Sequence, residues 1–204
     1  KGVKLLSLFT TPGNQIHHGK FPINKIDDMK KTKMLAYAGI GKEIFTKLGT
    51  VVVAVPAVKS HEIVSKGIVD GVAMSIDAIA AFKLIPYMKH TTVVPGAVYN
   101  SQFSFFMNER KWNGLSSADK SAISSVSGER IAQNAKAWDA ARAGAQKALV
   151  KGGIKIQQAS DSMVANLRTR LGYLVQDWVT AANKKGVDGP AAFKYFQAQL
   201  KTVK

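Results

Sequence analysis

An α/β fold with a mixed, mostly parallel sheet covered by helices is predicted by three features of the sequence. β-Branched runs such as Val51 to Val55 alternate with short helical runs through the first hundred residues. Glycine or proline punctuates them, as at Gly49, Pro56 and Gly67. Beyond Met107 the pattern becomes mainly helical. Repeated β-α-β units need crossovers, and crossovers place helices on the faces of a parallel sheet.

Val3 to Phe9 reads as a strand, and Thr11-Pro12-Gly13-Asn14 as a loop. Lys33 to Tyr37 is a second strand, followed by Gly39 and Gly41. A helix over Lys42 to Leu48 stops at Gly49. Val51 to Val55 has the character of a buried strand closed by Pro56; Val58 to Lys66 is a helix stopped by Gly67, and Gly71 to Met74 a short strand. Val98 to Met107 is a longer, aromatic β-like segment. Ser116 or Ser117 caps a helix with Asp119 in its first turn. That helix extends, with a break near Ser127-Gly128, to Gly152-Gly153, long enough to bridge two lobes. Ile154 to Gln157 offers another strand. A helix from Asp161 to Lys184 carries Met163, Leu167, Leu171, Leu174 and Trp178 on one face. Pro190 suits the first turn of a last helix through Leu200.

The 204 residues, 46% hydrophobic and 21% charged, lie in the globular range. The longest uncharged run, Thr91 to Asn108, contains Pro95, Asn100 and Gln102, so direct membrane insertion is not expected. The absence of cysteine excludes disulfides and thiolate chemistry. Lys1 opens the chain without methionine or signal sequence, as expected of a processed, cut or incompletely represented protein. The net charge of +16 comes from lysines dispersed singly or in pairs, such as Lys30-Lys31. They form no Arg-rich block or aromatic-basic interleaving, so a solvated surface is favoured and nucleic acid is not an expected partner.

Catalytic signatures are missing. His17, His18, His61 and His90 have no metal-ligand spacing, and His17-His18 read as loop residues facing water. Gly39-Ile40-Gly41 lacks the third glycine of a dinucleotide fingerprint and reads as a turn. Asp70 reads as a turn residue before a strand rather than a catalytic carboxylate. No catalytic residue, metal or cofactor is assigned. Ligands of open α/β sheets lie beyond the carboxyl ends of the strands, which makes Thr10 to Gln15, Tyr37 to Gly39, Pro56 and Met74 to Ser75 the candidate pocket.

Four ordered stretches carry a resemblance. They are Pro22 through Leu35, with its Asp27-Asp28-Met29-Lys30 and Lys33-Met34-Leu35; Leu48-Gly49 through Pro56; Gly67-Ile68-Val69-Asp70-Gly71; and Met107 through Ser116 with Lys111-Trp112. A long helix and Gly153-Ile154-Lys155-Ile156 follow. Together they resemble the solute receptors of TRAP (tripartite ATP-independent periplasmic) transporters over essentially the whole chain. The resemblance implies a periplasmic-binding-protein-like two-lobed fold, an interlobe cleft for a small organic solute, periplasmic location and transporter membrane subunits as partners. It also implies roughly a hundred further residues before Lys1, a domain-sized addition supplying most of the first lobe. On that basis residues 1–100 form the second lobe, 101–143 a returning piece of the first lobe, and 144–204 the end of the bridging helix, a strand and C-terminal helices.

The departures from the family pattern bear on the ligand. Leu35 stands where the family's carboxylate-clamping arginine is expected, Met74 where an asparagine often follows Asp-Gly, and Lys59-Ser60-His61 where Glu-x-Tyr is usual. Leucine donates no hydrogen bond, so the ligand is expected not to be a clamped carboxylate, or to be held otherwise, for instance by Gln15, His17 or lysine residues. Leu35, Tyr37 and Met74 then line a more apolar pocket with Ser75; the alternative is that Leu35 and Met74 are core residues of two strands. Tyr99, Asn100 and Gln102 fall at the crossing between lobes and either face the cleft or pack the hinge. A basic nucleic-acid- or polyanion-binding protein and an α/β enzyme are the rival readings.

Overall fold

The computed structural model describes residues 2–134 and 136–202. Its main sheet has six strands in the order β4-β3-β5-β2-β6-β8: β2 (Gln15–His18), β3 (Lys33–Ala36), β4 (Val51–Ala54), β5 (Gly71–Met74), β6 (His90–Val93) and β8 (Lys155–Gln158). β3 runs parallel to β4 and β5, and β6 parallel to β8. β2 is antiparallel to both of its neighbours. The sheet is mixed and mostly parallel, as expected, with β2 joining its two parallel parts. The sequence reading placed His17 and His18 in a water-facing loop; instead all four residues of β2 are buried. A four-residue strand with two polar histidines gives no apolar alternation to read.

Both faces of the sheet's central strands are covered, which is why β3 and β5 read as apolar runs, whereas the edge strand β4, expected to be buried, leaves Val51 61% exposed. On one face Met34, Ala36 and Ala73 meet Ile44, Phe45 and Leu48 from helix α2 (Ile40–Lys47) and its end, and Met163 and Leu167 from α9 (Asp161–Leu171). On the other, Leu35, Val72 and Met74 meet Val64 of α3 (Ser60–Ser65), Ile76 and Ile79 of α4 (Ile76–Ala81) and Leu149 of α8 (Lys136–Lys151). Successive strand residues point to opposite faces, so Leu35 and its neighbours Met34 and Ala36 enter different cores.

Several boundaries differ from the sequence reading. The expected bridging helix is divided at Gly128, whose φ of +64° ends α6 (Ser117–Val126) before α7 (Glu129–Asn134). Gly172 likewise separates α9 from α10 (Tyr173–Asn183). The C-terminal helix α11 covers Gly189–Thr202. Gly39 opens α2 with a φ of +78°, and a side chain at Gly41 would strike the Tyr99 hydroxyl, so this glycine pair serves a helix entry and a close contact.

A separate two-stranded ribbon pairs β1 (Val3–Thr10) antiparallel with β7 (Gln102–Asn108). β1 therefore joins the aromatic segment rather than the main sheet. Ser7 Oγ donates to the Gly128 carbonyl (2.8 Å) and Gly128 N donates to that of Leu6 (2.7 Å), fixing the ribbon to the break between α6 and α7. Two crossing segments tie ribbon to sheet: Thr11 N donates to Ser101 O (3.2 Å) and Asn14 N to Tyr99 O (2.9 Å). A Cβ at Gly13 would collide with that of Ala97, so only glycine permits this approach.

Candidate functional site

A cavity of ≈ 380 Å³ opens where the ribbon, the sheet and α8 converge, a size suited to a small ligand. The sheet contributes Tyr37, one residue past β3, and Ser75, one residue past β5. This is the carboxyl-end location expected for an α/β sheet. Asp77, Ala78, Ala81 and Phe82 come from α4 and its end, and Ala57 from the turn after Pro56. Thr11, Asn14 and Ser101 come from the crossing segments, Phe103 from β7 and Trp138 from the first turn of α8.

The wall is largely apolar and aromatic. Phe103 is 50% exposed and Trp138 is 41% exposed, so neither of these aromatic wall residues is sealed from water. Asn14 is committed to the fold: its Nδ2 donates to Tyr99 O (3.2 Å) and Ser101 Oγ (3.1 Å). Tyr37 is half-buried, and burial, aided by the nearby negative charge of Asp77, pushes its phenol pKa up to about 12. The phenol stays neutral and keeps a proton to donate. Asp77 carries the one formal charge among the described lining residues, in a chain of net charge +16. Sequence reasoning missed Asp77, Phe82, Phe103 and Trp138, because their approach depends on α4, β7 and α8 meeting in space. An acid following a serine at a strand end was the available signal.

The residues singled out from the sequence separate into three places. Tyr37 and Ser75 are in the cavity wall. Leu35 and Met74 are fully buried in the core beneath α3, α4 and α8, immediately behind it. The inside of β2 holds Gln15 and His17. Gln15 Oε1 accepts from Val94 N (2.7 Å). His17 Nε2–H donates to the Met74 carbonyl (3.1 Å), which leaves Nδ1 to accept from the Thr91 hydroxyl (2.8 Å). Burial lowers the His17 pKa to about 4, so the ring is neutral. Asn100 and Gln102 are exposed, on the crossing segment and at the start of β7. Asp70 accepts from Lys33 N (3.1 Å) and pairs with Lys20 (2.6 Å), fixing the entry to β5.

Among the described residues no group of His, Asp or Glu is arranged to hold a metal ion, and no helix is long and apolar enough to cross a membrane.

Comparison with known proteins gives this geometry a context. The profile of the bacterial extracellular solute-binding proteins, family 7, matches residues 1–181. The chain is 33% identical over 198 residues to the outer membrane transporter protein TsaT of Comamonas testosteroni, covering 97% of this chain and 59% of that one. It superposes with a TM-score of 0.94 and 31% identity on a TRAP periplasmic solute-binding protein from Bordetella bronchiseptica holding (R)- and (S)-mandelate, covering 100% of this chain and 65% of that one. A marine metagenome TRAP solute-binding protein specific for aromatic acids, bound to metahydroxyphenylacetate, matches with a TM-score of 0.84 and 27% identity, over 94% of this chain and 61% of that one. The chain thus spans about three fifths of the length of these relatives.

Proposed function

The chain belongs to the bacterial extracellular solute-binding proteins of family 7, and from that membership we propose that it serves as the receptor of a TRAP-type uptake system for a small aromatic acid in the periplasm. The observation that carries the solute class is the cavity wall: Tyr37, Phe82, Phe103 and Trp138 converge on a volume of ≈ 380 Å³. Aromatic side chains bind a ring by offset or edge-to-face contact, beyond what area burial alone provides. The solutes held by the two aromatic-acid relatives share a ring, a carboxylate and a hydroxyl.

Tyr37 and Ser75 are the contacts from the strand tips, and Leu35 and Met74 support them from the core. In this reading residues 1–100 supply the strand-tip and α4 part of the wall, and 101–143 contribute Ser101, Phe103 and Trp138 to it. With Leu35 at the position of the clamping arginine, the solute's carboxylate is held by something other than a guanidinium from β3. Ligand binding biases an open-closed equilibrium about the Thr11–Asn14 and Tyr99–Ser101 crossings, and membrane subunits of the transporter read the closed form. Only differential affinity for that form makes a signal.

Thermal shift of the intact protein against aromatic acids, sulfonates, amides and sugar acids tests the reading. A ligand present at one hundred times its Kd stabilises by about 2.7 kcal/mol. Aromatic acids are expected to raise Tm and sugar acids to leave it unchanged. A flat response to every aromatic acid rejects the proposal.

A further inference from the structure

We propose that Asp77 is the specificity-determining residue of the cavity, accepting a hydrogen bond from a donor group, hydroxyl or ammonium, on the bound aromatic solute. The inference rests on the aromatic-solute reading above and adds which end of the solute meets α4. Asp77 is 8% exposed and lines the cavity, yet its Oδ1 is buried without a hydrogen-bond partner among the described residues. A buried carboxylate lacking a full set of partners is costly, and that cost is recovered when a donor arrives. Asp77 stands in the first turn of α4, where a negative charge suits the helix N-terminus, but Ser75, which caps α4, has no capping hydrogen bond, and no ion pair to Asp77 is formed among the described residues.

No arginine, lysine or histidine is among the described lining residues, so nothing on this wall offsets the carboxylate. A solute carboxylate is repelled by Asp77, so the group that meets this acid is a donor and not the solute's own carboxylate. Tyr37, kept protonated by burial and by the charge of Asp77, lines the same cavity. A site built to bond a donor rejects the analogue that lacks it, because its own polar group is then left unpaired.

The test is calorimetric titration of the intact protein with phenylacetate, 2-hydroxy-2-phenylacetate, 3-hydroxyphenylacetate and 2-phenylglycine. At least one donor-bearing compound is expected to bind about tenfold or more tighter than phenylacetate, the range for a hydrogen bond to a charged group. The three probes separate a benzylic hydroxyl, a ring hydroxyl and an ammonium. Asp77→Asn should shrink the preference and Asp77→Leu abolish it, each read as the ratio of the donor-bearing compound's affinity to that of phenylacetate in the same variant. If wild type binds phenylacetate as tightly as all three donors, the assignment of Asp77 is overturned while the aromatic receptor stands. The assignment fails equally if Asp77→Asn lowers Tm and leaves the ranking intact. If no aromatic acid binds at all, the receptor reading itself has failed.

Discussion

The main sheet and the β1/β7 ribbon are built from similar β-forming residues, yet they live in opposite environments. β5 is buried along its whole length between two helical layers, whereas Leu5, Leu8, Phe103, Phe105 and Phe106 of the ribbon are each about half exposed or more. On the ribbon Phe9 stacks against Phe103 (5.7 Å) and Phe105 (5.6 Å), and although α7 packs along β1, the Phe103 and Phe105 side chains stay half exposed. A two-stranded ribbon is marginal by itself. The difference teaches that β-propensity shows where a strand forms, and only its surroundings decide what the strand is worth.

The strongest way to break the comparison is a charge at Leu35. It is 0% exposed in the core under α4 and α8. Leu35→Arg buries an unpaired guanidinium and is expected to destabilise by about 4 kcal/mol or more, read by urea unfolding. If the variant instead folds with wild-type stability and gains affinity for carboxylates, Leu35 reaches the ligand and the sheet is less sealed than described.

Acid should act next. His17 has a pKa of about 4 when folded against an ordinary value of 6.5. Between those values the unfolded chain binds a proton that the folded chain does not, so stability falls as pH drops from 6.5 toward 4. The full contribution is roughly 3 kcal/mol at the acid end of that window. His18, also held below its usual value mainly by burial, acts in the same direction. His17→Gln should flatten the pH dependence of Tm across that window; an unchanged slope would show that His17 is not sealed in the sheet.

Gly71 tests how tightly the strands are apposed. A Cβ there would collide with the His17 carbonyl and press on Met34 Sδ. Gly71→Ala is therefore expected to cost about 2 kcal/mol, an overpacking penalty, although alanine ordinarily favours a strand more than glycine does. A neutral or stabilising result would mean that β2 and β5 can separate.

Much of the sheet was legible because its signals are local. β5 lies at Gly71 to Met74 as read, since glycine precedes a short apolar run. The end of α2 at Gly49 carries a φ of +90°, as a glycine stop requires. β2, α4 and β6 escaped because short strands with histidine and threonine, and a six-residue helix, show no periodicity. Their structure comes from partners far along the chain, such as Thr91, 74 residues from the His17 ring it meets. Of the cavity, the strand-tip positions Tyr37 and Ser75 followed from a topological rule, while the aromatic wall needed Phe103 and Trp138 brought in from β7 and α8. Leu35 shows the boundary between the two: the same alternation that places Tyr37 at the cavity turns Leu35, two residues earlier on that face, into the covered part of the sheet.

The smallest effect should come from the ribbon. Phe106 is 61% exposed and faces Leu5 across the strands, so little of its surface leaves water on folding. Phe106→Ser is expected to change stability by no more than about 0.5 kcal/mol, the range of ordinary surface substitutions, against several for a phenylalanine removed from a core. Hydrogen exchange supplies the companion measurement. Ribbon amides at 102–108 should exchange through local opening well before those of β5 at 71–74, which need the whole core to open. Equal protection, or a large loss at Phe106, would mean that the ribbon is covered in solution, with its aromatic residues forming part of a second core.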